Sequence, residues 1–142
     1  MWGFIFSIIA GAAMSFQGVI NTRLSERMGL LEANTFVQGS AFLLSLLAVW
    51  IFGSGSFRAL LDVPKIYWIA GALGLIITVT VMLGIGNLSP TVAISTILIS
   101  QLLVAALIDA FGLLGSEQVV FNWTKIAGIA LMIGGVVIFK IR

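Results

Sequence analysis

Amides and a carboxylate interrupt otherwise apolar stretches of the 142-residue sequence, among them Gln17, Asn21, Gln38, Gln101 and Asp109. Gln17 and Asn21 are four residues apart, and Asn34 and Gln38 repeat that spacing, so each pair falls on one face of a helix. Amides placed in this way hydrogen-bond either to one another or to a solute. Asp109 is the only carboxylate within an apolar stretch, where the chemistry to expect is a cation or proton site. Gln101 precedes it by eight residues, about 12 Å along a helix at 1.5 Å per residue, on a slanted stripe through Ala105. The sequence has no His and no Cys, which removes zinc and iron–sulfur ligation, disulfides and a His-based nucleophile relay. One such carboxylate with no visible nucleophile, metal ligands or cofactor loop leaves no reaction to name, so neither an enzyme nor a cofactor is expected.

The elements that position these residues follow from composition. The chain is 61% hydrophobic and 8% charged, with a mean hydropathy of +1.22, whereas globular domains carry roughly 25% charged residues. So few charges cannot coat a water-exposed surface, and the chain needs the lipid bilayer as solvent. Seven cations and five anions give a net charge of +2 with no Lys/Arg run able to follow a phosphate backbone, which excludes nucleic acid as a partner.

A hydrocarbon core of about 30 Å takes roughly 20 helical residues. Charges, Gly and Pro divide the chain into five such spans, at about Trp2 to Thr22, Ala33 to Phe52, Ile66 to Gly86, Thr91 to Gly112 and Asn122 to Ile141. The expected fold class is an all-α membrane protein, a single transmembrane domain of five helices over residues 1–142. The small residues Ala10 to Ala13 lack the charged leader of a signal peptide, so the first helix is expected to stay in the mature protein. The connections Arg23 to Glu32, Ser54 to Lys65, Asn87 to Pro90 and Leu113 to Phe121 are too short to hold a further domain.

Five helices place the termini on opposite sides of the membrane. Arg58, Lys65 and Lys125 then lie on one side and Arg23, Arg27, Lys140 and Arg142 on the other. Because Lys/Arg bias sets insertion, this balance predicts both orientations and an antiparallel, dual-topology homodimer, an inverted repeat made from two identical chains. A single orientation with a same-sense oligomer is the plain alternative.

Ser7, Gly11, Ser15 and Gly18 form a small-residue stripe on helix 1, and helix 3 carries Gly71, Gly74 and Thr78 on one face. Gly84, Gly86, Asn87, Ser89 and Pro90 make the exit from helix 3 either a hinge or an ordinary turn. The amides of helices 1 and 2 can meet, serving either as interhelical glue or as a substrate lining. In an inverted pair, Gln17 and Asn21 of one copy come level with Asp109 of the other, near Phe16 and Phe36. Trp68 and Trp123 fit interface anchors, and helix 5 a packing helix.

Taken together, the segments Gly11 to Leu24 (GAAMSFQGVINTRL), Ser89 to Gly115 (SPTVAISTILISQLLVAALIDAFGLLG) and Gly128 to Phe139 (GIALMIGGVVIF) resemble the drug/metabolite transporter superfamily, in its five-helix YdcZ-type branch. The resemblance covers essentially the whole chain. It implies a bacterial inner (plasma) membrane, a multi-pass chain, and single, paired or fused forms that include dual-topology homodimers. The chain also looks like a distant relative of small multidrug resistance proteins, whose helix 1 carries a central Glu. It departs from them by having no carboxylate there, Gln17 being the nearest polar residue, which leaves Asp109 as the candidate for coupling.

These observations predict a transporter of a small organic solute or metabolite working by alternating access, with Gln17, Asn21, Gln38, Gln101 and Asp109 as the lining. A passive ion or solute channel and a non-transporting partner subunit of a heteromeric complex are the alternatives.

Overall fold

The computed structural model describes residues 2–119 and 122–141, with Lys140 described through its backbone alone. Every regular element among them is helical, and the chain divides into two compact units, residues 1–86 and 87–142.

The first unit holds α1 (Trp2–Met28), α2 (Leu30–Phe52) and α3 (Ala70–Asn87, whose last residue lies past the unit's boundary), with two 3-10 turns, Phe57–Leu61 and Lys65–Ile69, leading into α3. The second holds α4 (Pro90–Phe111), a 3-10 turn at Leu113–Gly115, and α5 (Trp123–Lys140). Four of these stretches are long and apolar enough to cross a bilayer: Trp2–Met28, Leu30–Phe52, Lys65–Asn87 and Pro90–Phe111. The fifth helix is shorter, 18 residues, or about 27 Å at 1.5 Å per residue.

Expectation and structure part most clearly between the first two helices. Residues Arg23 to Glu32, read from the sequence as a connection, are helical except for Gly29. Charges end a hydrocarbon span but not a helix, because Arg, Leu, Glu and Met are strong helix formers. The Arg23 guanidinium lies 3.0 Å from the Glu26 carboxylate, one turn along α1. Gly29 alone reverses the chain, at φ 99° and ψ 154°, a region that side chains bar to other residues. Its N–H donates to the Ser25 carbonyl at 3.0 Å and its carbonyl accepts from the Ala33 N–H at 3.0 Å, so one residue closes α1 and opens α2.

Elsewhere the punctuation acts as local chemistry requires. Ser89 caps α4 by accepting from the Val92 N–H, with Pro90 at the first helical position. Gly112 ends that helix in the left-handed conformation, φ 59°. Asn122 caps α5 by accepting from the Lys125 N–H.

In the first unit the buried apolar residues are Ala33, Met82 and Ile85, and beside them Asn21, Thr22 and Asn34 are buried too, at 4–5% exposure. Large apolar side chains such as Phe4, Phe42, Leu43 and Trp50 face outward instead. That distribution suits a lipid solvent, in which apolar surface has no reason to turn inward. Hydroxyls are satisfied within their own helices: Ser7, Ser15, Thr22 and Thr78 each donate to the carbonyl of a glycine four residues earlier, at 2.8–2.9 Å.

Candidate functional site

Close approach of α1 and α3 builds the polar centre of the first unit. Gly18 permits it, since a β-carbon there would lie 2.8 Å from Ile85 Cδ1 and 3.2 Å from Val81 Cγ1. Further along, Thr22 Cγ2 lies 3.7 Å from where a β-carbon on Gly86 would stand. Between the helices is a cavity of about 50 Å³ lined by Gln17, Asn21 and Thr78, with Met14, Ile77 and Val81 as apolar walls. A space of this size, walled mostly by apolar surface with two amides and a hydroxyl among its lining residues, is large enough for one or two water molecules.

Gln38 reaches the same centre from α2. Its Nε2 donates to Thr78 Oγ1 at 3.4 Å, and Thr78 donates onward to the Gly74 carbonyl at 2.9 Å. Gly74 leaves room for the amide, as a β-carbon there would be 3.5 Å from Gln38 Nε2. Three of the five residues singled out in the sequence therefore converge through Thr78. Asn34, one turn before Gln38, is 4% exposed, and its Oδ1 has no hydrogen-bond partner among the described residues. Phe16 and Phe36 are 72% and 61% exposed and do not line this cavity.

The other two residues lie in the second unit. Asp109 stands in the last turn of α4 and lines a cavity of about 290 Å³ between α4 and α5. Lys125 and the apolar Leu102, Ala106, Ile129 and Met132 complete most of its wall. Ala105 lines it as well, whereas Gln101 is exposed on α4 and does not. The slanted stripe thus splits, with its Ala105–Asp109 half turned toward α5.

The connection after α4 folds back over that helix end. Ser116 Oγ donates to the carbonyls of Leu113 and Ile108, Gln118 Nε2 to that of Ala110 at 2.9 Å, and the Val119 N–H to that of Asp109 at 2.9 Å. The carbonyls of Ile108, Asp109 and Ala110, among those that a helix end leaves without internal partners, are satisfied in this way. The backbone around Asp109 is held on both sides.

Two contributors escaped the sequence reading as site residues. Thr78 was visible as a hydroxyl on the glycine face of helix 3, but nothing in the sequence gave its register against Gln38. Lys125 was read only as a loop cation, although its position three residues past the capping Asn122 puts it in the first turn of α5. Among the described residues no group of three or more His, Cys, Asp or Glu could hold a metal ion.

Trp68 lies in the turn leading into α3 and Trp123 is the first residue of α5, both strongly exposed. Such placement at span ends fits membrane-interface anchoring.

A family model described as "Putative inner membrane exporter, YdcZ" matches residues 2–138. Among curated proteins and solved structures nothing matches.

Proposed function

The chain belongs to the YdcZ-type inner membrane exporters of the drug/metabolite transporter group, and from that premise we propose an antiparallel homodimer that carries a small organic solute by alternating access. A multi-pass transporter of the inner membrane, rather than an enzyme, is what the family and the apolar helices support. The observation that carries the finer reading is the convergence of Gln17, Asn21 and the Gln38–Thr78 pair on one cavity within spans that are otherwise apolar. Polar side chains at membrane depth are costly, and they commonly mark substrate pathways.

The unit-1 cavity is far smaller than the 300–1,000 Å³ typical of a site for an organic ligand. In this proposal it is the closed end of a larger chamber completed by a second, inverted copy, whose Asp109 comes level with Gln17 and Asn21. Gln101, exposed on α4, lines the same path from the partner's side. The near-equal Lys/Arg counts on the two sides favour such a pair. Glycines with open space around them, Gly11 on α1 and Gly134 on α5, offer backbone for close helix contact between copies.

The test uses the absence of native Cys. A single Cys replaces Gly55, an exposed position where a β-carbon meets nothing, and is labelled with an impermeant maleimide in intact and then permeabilised cells. About half of the sites labelled from outside is the expected result, and all or none would refute the inverted pair. Asp109→Asn and Gln17→Ala are expected to abolish solute flux in proteoliposomes while the dimer still assembles; normal flux in both would remove the lining assignment.

A further inference from the structure

Gln101 stands apart from both polar centres. It is exposed on α4, lines neither the α4–α5 cavity nor that of the first unit, and makes no hydrogen bond among the described residues. Thr96 on the same helix satisfies its hydroxyl on the Val92 carbonyl at 2.8 Å. An amide is harder to satisfy, having two N–H donors and a carbonyl oxygen. Facing hydrocarbon, it leaves all of them unmet at a cost that a partner would remove.

Depth selects the partner. Gln101 is the twelfth of the 22 residues of α4, and a helix of that length spans about 33 Å, close to the roughly 30 Å of a hydrocarbon core. The amide therefore lies at the bilayer midplane, as far from water as a side chain can be. In a pair inverted about a two-fold axis in that plane, residues on either side of the midpoint exchange depths. Asp109, eight residues from Gln101, ends about 24 Å from its counterpart along the membrane normal. Gln101 returns to its own level and can meet itself. Contact between identical residues needs a side chain that is its own complement. A carboxylate or an ammonium would meet a like charge there, whereas an amide donates an N–H to its twin's carbonyl oxygen and accepts one in return. Leu98 and Val104, three residues to either side and 47% and 53% exposed, give the amide apolar flanks on the same face of α4.

We propose that Gln101 and its counterpart in an inverted second copy form a reciprocal amide pair on the two-fold axis, with Leu98 of each α4 packed against Val104 of the other. The proposal rests on the inverted pair of the transport reading and deepens it by naming the contact at its centre. The amide pair stands midway between the two equivalent chambers, each of which combines Gln17 and Asn21 of one copy with Asp109 of the other.

The absence of native Cys permits a direct test in membranes. Gln101→Cys, Leu98→Cys and Val104→Cys are made singly, coexpressed in pairs with different tags, and oxidised with copper phenanthroline. A disulfide needs Cα atoms within about 7 Å of each other. Gln101→Cys is expected to crosslink to itself. Leu98→Cys and Val104→Cys should crosslink to each other and not to themselves, since inversion separates each from its own counterpart by about 9 Å along the helix before any sideways distance is added. Gln101→Leu removes two interhelical hydrogen bonds averaging about 0.6 kcal/mol each, so the dimer dissociation constant in detergent should rise about eightfold. Self-crosslinking of Leu98→Cys and Val104→Cys would show a same-sense pair and overturn both the amide pair and the inverted homodimer. No crosslink from Gln101→Cys, where Gly55→Cys is half labelled from outside, overturns the amide pair and leaves the inverted homodimer standing. An unchanged dissociation constant in Gln101→Leu overturns the pairing even if α4 lies at the seam.

Discussion

Gln38 of α2 and Thr78 of α3 are joined amide to hydroxyl at 3.4 Å, and the hydroxyl donates in turn to the Gly74 carbonyl at 2.9 Å. The direction of the relay is fixed by this geometry: the amide N–H donates to the hydroxyl, and the hydroxyl donates to the backbone carbonyl. Gln38 keeps its carbonyl oxygen as an acceptor for a further donor, while Thr78 also lines the cavity that Gln17 and Asn21 share.

Removing that hydroxyl separates structure from function. Thr78→Val leaves the packing volume nearly unchanged, and interhelical hydrogen bonds in membranes average about 0.6 kcal/mol. The thermal midpoint in detergent should therefore fall only slightly, with a stability loss below about 1 kcal/mol, while flux in proteoliposomes falls at least tenfold. Full flux in Thr78→Val would take Thr78 out of the solute path.

Asn34 makes the opposite prediction. Its Oδ1 is buried without a partner among the described residues, and such an orphan costs about 1–3 kcal/mol. Asn34→Leu, close in volume, should raise the thermal midpoint. A lower midpoint would mean that Asn34 finds its partner only in the assembled protein.

Gly18 sets how near α1 can come to α3. A β-carbon meets the flexible tip of Ile85 first, so Gly18→Ala should be nearly neutral, the side-chain shift being offset by better helix propensity. Gly18→Leu has no such escape, and overpacking of this kind costs about 1–3 kcal/mol. Thermal unfolding of the two variants side by side checks the contrast.

At Gly29 the constraint is the backbone itself. Gly29→Val forces a branched residue to φ 99°, with its β-carbon against the Glu32 carboxylate. Strain in this region costs about 1–3 kcal/mol. The expected result is a clear drop in stability by thermal unfolding, with Gly55→Ala unchanged as the control.

Much of this organisation was legible from residue types alone. Pro90, Gly112 and Asn122 marked helix ends to within one residue because each has a single dominant local chemistry. The charges of Arg23, Glu26 and Arg27 misled, since a charge reports where lipid ends and not where the helix ends, and these residue types favour helix. The shared face of Gln17 and Asn21 followed from i, i+4 spacing. Their meeting with Thr78 did not, because helix register across α1 and α3 is set by Gly18 against Val81 and Ile85, a contact with no local signature. The partition of Gln101 from Asp109 was equally hidden, as it depends on how far α4 rotates toward α5.

The single-residue junction at Gly29 bears on how the protein is made. With no slack between α1 and α2, neither can be threaded into the bilayer ahead of the other by more than the reach of one residue. During synthesis the two must enter as one helical hairpin, carrying Arg23, Glu26, Arg27 and Glu32 together at its apex whichever way it points. Their orientation is therefore chosen jointly.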